Sequence, residues 1–145
     1  MLTNRAKYAI KALLHLSARR GQGPVGAGAI AEAEHIPLKF LELIVLQLRN
    51  HGLIRSKVGK GGGHELVKEP EEITLLMVVR IIDGPVAPLP CLSHTAYQRC
   101  SDCDSEKTCG TRRLFKHVHD AAIESMSSIT LADAGRSKSA EARKS

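Results

Sequence analysis

The chain has 145 residues with no Trp, two Tyr and two Phe, so its core must be built from Leu, Ile, Val and Ala. That supply suits packed helices better than an aromatic-rich β-sandwich, and the length allows one domain with at most an appendage. The net charge is +6; no stretch approaches the ~18 apolar residues of a membrane helix, and the start lacks the apolar run and cleavage site of a signal peptide, so a soluble, cytoplasmic protein with no membrane partner is expected.

The charge is unevenly placed. Residues 1–65 carry ten Lys/Arg against four Asp/Glu, a net of +6, whereas residues 66–134 are net −3 and the tail from Gly135 is net +3. A basic N-terminal half is what a protein facing a polyanion requires, although a solvated basic surface without a partner has the same composition.

Residues 4–19 have helical spacing, with Tyr8, Ala9, Ala12, Leu13 and Leu16 on one side. GQGP at 21–24 breaks the pattern. A short second helix runs from about Ala27 to Glu34 around Ile30 and Ala31. After a turn at His35-Ile36, Pro37 suits the first position of a third helix, where its missing N–H is harmless. That helix reaches about Asn50, with Leu41, Ile44, Val45 and Leu48 buried, and Gly52 ends it as a left-handed cap. Two short helices joined by a brief turn, over about 27–51, form the helix-turn-helix pattern.

LIRSKV at 53–58 reads as a strand, GKGGG at 59–63 as a tight turn and HELVK at 64–68 as the returning strand, which adds a wing over about 53–68. A fourth helix is expected from Glu71 to Ile82, with Leu75, Val78, Val79 and Ile82 inward. Prolines at 85, 88 and 90 then open a cysteine-rich loop, 85–110. A last helix starts near Cys109 or Gly110 and runs to about Ser128. Its Phe115, Val118, Ala122, Met126 and Ile129 form an apolar stripe that little of the chain remains to cover. A partner helix is the better cover, so 111–131 is read as a dimerisation helix. The residues from 132 onward, ending GRSKSAEARKS, read as a disordered basic tail. The fold class is therefore mainly α (α+β): a winged helix-turn-helix over 1–84 with a long C-terminal dimerisation helix.

A recognition helix presents its N-terminal residues to base edges in the major groove. Here these are Pro37, Leu38, Lys39, Phe40 and Glu42. Lys39 can donate to a guanine edge or a phosphate, and Glu42 can accept from a cytosine amine. Arg49 and Asn50 lie further along, with phosphate or structural roles. On the wing, Arg55, Lys57 and Lys60 supply charge, and Gly61, Gly62, Gly63 and His64 form a stretch of backbone open to close approach. A hairpin that needs glycine only for its φ angles reads the same way.

The only cysteines are Cys91, Cys100, Cys103 and Cys109, within nineteen residues and spaced x8, x2 and x5. In a reducing compartment such a group is more often a metal site or redox switch than a disulfide framework. Soft thiolates suit an iron–sulfur cluster. Four also suit zinc, but eight intervening residues are wide for a zinc knuckle. Cys100-Ser-Asp-Cys103 can serve as a cluster-free disulfide switch, and a thioredoxin-like enzyme is disfavoured because no βαβ unit surrounds it. His94, His117 and His119 lie nearby. His117 and His119 fall on different sides of the last helix, and both read as surface or interface residues.

Residues 2 to about 131 resemble the IscR/NsrR/RirA-type winged-helix transcription regulators of bacteria, the Rrf-two family. The resemblance lies in LTNRAKYAIKALLHL at the start, IAEAEHIPLKFLELIVLQLRNHGLI at 30–54, GKGGGHEL in the wing, EPEEITLLMVVRIIDG at 69–84 and the cysteine loop. It implies a non-enzymatic homodimeric regulator, reading a palindromic operator in double-stranded DNA and often carrying an iron–sulfur cluster, 2Fe-2S or 4Fe-4S. It also implies that the Glu42 position helps distinguish target sequences. Cys91 matches the family's first ligand, and Cys103-x5-Cys109 its second interval. Arg112 replaces a ligating His of one relative and Lys7 an acidic ligand of another, which leaves Cys100 to complete a set of four. Val58 stands where relatives often have a wing Arg, and His64 where Tyr is common. The reading is a bacterial repressor whose operator binding is controlled by a cluster sensing iron, redox or nitric oxide status. Two alternatives stand: the same regulator as a cluster-free thiol sensor, and a zinc-stabilised adaptor that does not bind DNA.

Overall fold

The computed structural model describes residues 3–135. Helix α1 spans Asn4–Ala18 and buries Ala6, Ala9, Ala12, Leu13 and Leu16. Three alanines on that face let neighbouring helices approach closely. Thr3 caps it, its Oγ1 accepting from the Ala6 N–H at 3.1 Å, and the same hydroxyl donates to Asp83 at the far end of the fourth helix.

Helix α2, Ala27–Glu34, stops at His35. With φ 54°, His35 is the only non-glycine residue in the left-handed region among the described residues. Pro37 immediately precedes helix α3, Leu38–Asn50, rather than being its first residue. The face Leu41, Ile44, Val45 and Leu48 is buried as expected. Gly52, at φ 75°, turns the chain out of α3.

Strands β1, Ile54–Lys57, and β2, Gly63–Leu66, pair antiparallel, with Ile54 opposite Leu66 and Lys57 opposite Gly63. Together with α2 and α3 this hairpin makes a winged helix-turn-helix.

The fourth helix, α4, differs from expectation at its start. It spans Leu75–Asp83, and Pro70–Glu72 form a separate 3-10 turn. The physical cause lies at Thr74: its backbone is extended and its side chain caps α4 by accepting from the Met77 N–H at 3.1 Å. The extended stretch is also used for pairing, because Thr74 bridges Thr130. The later start shifts the buried face: Leu76 goes inward with Val78, Val79 and Ile82, and Leu75 is half-buried.

Helix α5 spans Gly110–Ser128. The chain then returns to the head. Leu75 N–H donates to Ile129 O at 2.9 Å, Leu131 N–H to Ile73 O at 3.0 Å, and Leu131 joins the core. Residues 131–135 are helical, so the expected disordered tail does not begin at 132. Residues 136–145 lie outside the described residues.

One core unites the head. Leu13, Ile30, Leu41, Ile44, Leu48, Leu53, Ile54, Ile73 and Val78 are its largest fully buried members. Each such aliphatic side chain contributes about 1.5–3 kcal/mol on leaving water. Among the described residues no helix is long and apolar enough to cross a membrane.

Candidate nucleic-acid interface and cysteine centre

The N-terminal half of α3 is presented outward. Pro37, Leu38, Lys39, Phe40 and Glu42 are all exposed, as are Arg49 and Asn50 at its end. Lys57, Lys60 and Gly61 are exposed on the hairpin, and Gly62, Gly63 and His64 are half-buried. Among the described residues Lys39, Lys57 and Lys60 have no ion-pair partner, whereas Arg55 Nε sits 3.1 Å from Glu65 Oε2 on the facing strand. Unpaired lysines are available to phosphates; a paired arginine must first give up its carboxylate.

The wing glycines have work to do inside the protein. Gly59 and Gly61 have φ near 99° and 76°. A Cβ at Gly62 would lie 2.1 Å from Lys57 O, and one at Gly63 within 2.6 Å of the Val25 carbonyl. Hairpin geometry and docking therefore account for the glycine run without DNA. His64 is also engaged: its Nδ1 lies 2.8 Å from Ser56 Oγ. Burial, and secondly the Arg49 charge, lower its pKa from the ordinary 6.5.

All four cysteines are free and line one cavity of about 400 Å³. Cys91 is buried in a 3-10 turn, Pro90–Leu92. Cys100 and Cys103 belong to a reverse turn closed by Cys103 N–H to Cys100 O at 3.2 Å. Cys109 caps α5, where its Sγ accepts from the Arg112 N–H at 3.4 Å, the place usually taken by a Ser or Asp oxygen. Burial, then the neighbouring Cys91, Asp102 and Cys103, raise the Cys100 pKa.

The sulfurs share the cavity wall without being drawn together. Among the described residues no three His, Cys, Asp or Glu side chains are grouped closely enough to hold a metal ion. The donor set nevertheless suits a soft metal centre, since four thiols, none of them in a disulfide, line one cavity. Arg112, in the expected place of a ligand, lines the same cavity; its Nη2 donates to Cys91 O at 3.5 Å, while its Nε is buried without a hydrogen-bond acceptor.

Two features escaped sequence reasoning. His119 is not a surface residue: it is 2% exposed and packs edge-on against the His94 ring at 4.8 Å. It borders a smaller cavity of about 190 Å³ between α4, the start of the loop and α5. The signal was its place between Phe115 and Ala122 at helical spacing, masked by its polarity. The second feature is the exposure of Leu43 and Leu46, further along α3 than the outward residues expected there. On α5, Leu114, Phe115 and Val118 are exposed, and Ala122 and Met126 half-buried.

Comparison with known proteins places this geometry. The family model described as "Rrf2: Iron-dependent Transcriptional regulator" matches residues 2–136. An rrf2-like HTH-type transcriptional regulator of Rhodobacter capsulatus is 43% identical over 136 residues, covering 92% of this chain and 91% of that protein. Among solved structures, CymR, titled the global cysteine regulator of B. subtilis, superposes with TM-score 0.74 at 29% identity, covering 92% of this chain and 94% of its own. IscR of T. potens superposes with TM-score 0.75 at 25% identity, covering 95% and 88%.

Proposed function

The chain belongs to the Rrf2 family of transcriptional regulators, and from that premise we propose a cytoplasmic DNA-binding repressor that acts as a homodimer on a palindromic operator. Its DNA affinity is set by an iron–sulfur cluster held by Cys91, Cys103, Cys109 and Cys100. Lys39 and Glu42 address base edges, and Lys57 and Lys60 address phosphates. Arg49 and Arg55 support the backbone contacts, and Pro37, Leu38, Gly61, Gly62, Gly63 and His64 complete the contact surface.

The observation that carries this reading is the single cavity lined by all four free cysteines at the N-terminus of α5. When bound, a cluster supplies a linkage among four sulfurs that depends on iron and redox state. The chain supplies the rest. Cys91 follows α4, Cys100 and Cys103 lie in the loop, and Cys109 begins α5, so gathering these sulfurs ties the loop to the helix. The exposed apolar residues of α5 are assigned to the same helix of a second copy. In that arrangement the cysteine end of α5 governs the spacing of the two recognition helices.

The test is the visible spectrum of protein purified anaerobically from iron-replete cells, with iron and acid-labile sulfide assayed alongside. A broad band between about 320 and 420 nm with stoichiometric sulfide is expected. Colourless protein under those conditions overturns the cluster assignment and leaves the family assignment untouched.

A second reading is favoured by one arrangement, the Cys100–Cys103 reverse turn that carries two free cysteines on the wall of the same cavity. On it the cavity is a cluster-free thiol sensor, with oxidation joining Cys100 to a neighbouring cysteine. Peptide mapping after mild peroxide treatment of colourless protein distinguishes it, and operator affinity must then change with that disulfide.

A further inference from the structure

We propose that Leu43 is a specificity-determining residue that reads thymine, by apolar contact with the C5-methyl group in the major groove. The inference deepens the DNA-binding function proposed above and rests on it.

The buried side of α3 consists of Leu41, Ile44, Val45 and Leu48. With successive residues about 100° apart, the stripe opposite that side is Lys39, Leu43, Leu46 and Asn50. Leu43 is therefore central on the outward face, and it is 58% exposed. Lys39 lies one turn before it, and Glu42 is adjacent and exposed. Phe40 and Leu46, three residues to either side, are exposed as well, but an aliphatic side chain at the centre of the face that a helix-turn-helix turns to DNA has one apolar target. The thymine methyl is the apolar feature of base-pair edges in that groove.

The surroundings select this occupant over a second copy of the chain. Residues 1–65 have a net charge of +6, and Lys39, Lys57 and Lys60 carry no ion-pair partner among the described residues. Two copies meeting through this face would oppose like charge, whereas DNA neutralises it. Leu46 shares the stripe but lies nearly a turn further on, and groove contact concentrates at the N-terminal part of a recognition helix. The roles divide accordingly: Lys39 and Glu42 read polar edges, and Leu43 reads the methyl.

The experiment begins with selection of binding sites from a randomised 30-base-pair duplex library, using full-length protein both as purified anaerobically and after chelation. In the selected duplex each thymine is then replaced singly by uracil, which removes the methyl and keeps the base-pairing edge. Affinity is measured for wild type, Leu43→Ala and Leu43→Met. Wild type is expected to weaken about fourfold at one thymine per half-site, the worth of one buried methyl. Leu43→Met retains that sensitivity, and Leu43→Ala loses it while still binding the duplex. No uracil effect in wild type, or an equal effect in Leu43→Ala, overturns the proposal while leaving DNA binding intact. A change in oligomeric state of Leu43→Ala by sedimentation assigns the face to self-association and also overturns it. Failure of wild type to select any sequence refutes the proposed function and this inference together.

Discussion

His64 and Val25 exchange both backbone hydrogen bonds: His64 N–H donates to Val25 O at 2.8 Å, and Val25 N–H to His64 O at 3.0 Å. This pair fastens the wing to the segment between α1 and α2, so the hairpin is not carried by α3 alone. Gly63 makes the approach feasible, since a Cβ there would come within 2.6 Å of the Val25 carbonyl and φ is 150°. Gly63→Ala should destabilise the protein by about 3 kcal/mol or more in chemical denaturation, combining backbone strain with a collision. Gly28→Ala, where nothing lies within 4 Å of the added carbon, should stabilise by about 0.5–1 kcal/mol.

The same histidine gives stability a pH dependence. Burial, then Arg49, lower its pKa from 6.5. As pH falls through 6.5 the unfolded chain takes up the proton first, so stability declines with acidification and recovers as pH rises. The denaturation midpoint should increase from acid to neutral pH, and His64→Gln should flatten that increase. An unchanged slope would show that other groups cause it.

Val58 is 95% exposed at the wing turn, beside Lys57 and Lys60. An arginine there adds a cation where phosphates or a minor groove are addressed. Val58→Arg should tighten DNA binding about threefold or more at low salt and steepen the salt dependence by roughly one counterion. Equal affinities and slopes would place the wing tip away from DNA.

Cys100 is the sulfur that distinguishes a three-cysteine from a four-cysteine site. Removing groups that merely support metal ligands costs 10–100-fold in affinity as an order of magnitude, and a direct ligand should exceed that. Cys100→Ser should therefore lose its visible band under chelator at least about tenfold faster than wild type, with Ser101→Ala as the neighbouring control. Equal lifetimes would remove Cys100 from the ligand set.

The proposed dimer contact is tested at Val118, which is 54% exposed on α5. A carboxylate buried in an apolar seam costs several kcal/mol unless paired. Val118→Glu should weaken self-association at least thirtyfold, about 2 kcal/mol, in sedimentation velocity, with unchanged helical content.

Periodicity and turn chemistry made most of this fold legible. Leu41, Ile44, Val45 and Leu48 mark the inner side of α3 because their spacing has no other helical explanation, and Gly52 marks its end. The start of α4 was not legible. Glu71 and Glu72 are good helix formers, but Thr74 caps the helix from an extended backbone that pairs with Thr130, and that partner lies 56 positions along the chain. Local propensity cannot register such a contact. The cysteine cavity was legible as a group of thiols, but the presence of Arg112 in its wall depends on tertiary placement. The burial of His119 was misjudged, and the exposure of Leu43 went unremarked. A polar residue was read as lying at the surface or an interface, and an apolar one attracted no functional reading.

Helix α5 is secured at both extremities: near its beginning Arg112 bonds to Cys91 O, and just past its end Ile129 O receives Leu75 N–H. Its nineteen residues make a rod of roughly 28 Å. The cysteine cavity and the Thr74–Thr130 bridge are thus joined to opposite ends of one continuous helix.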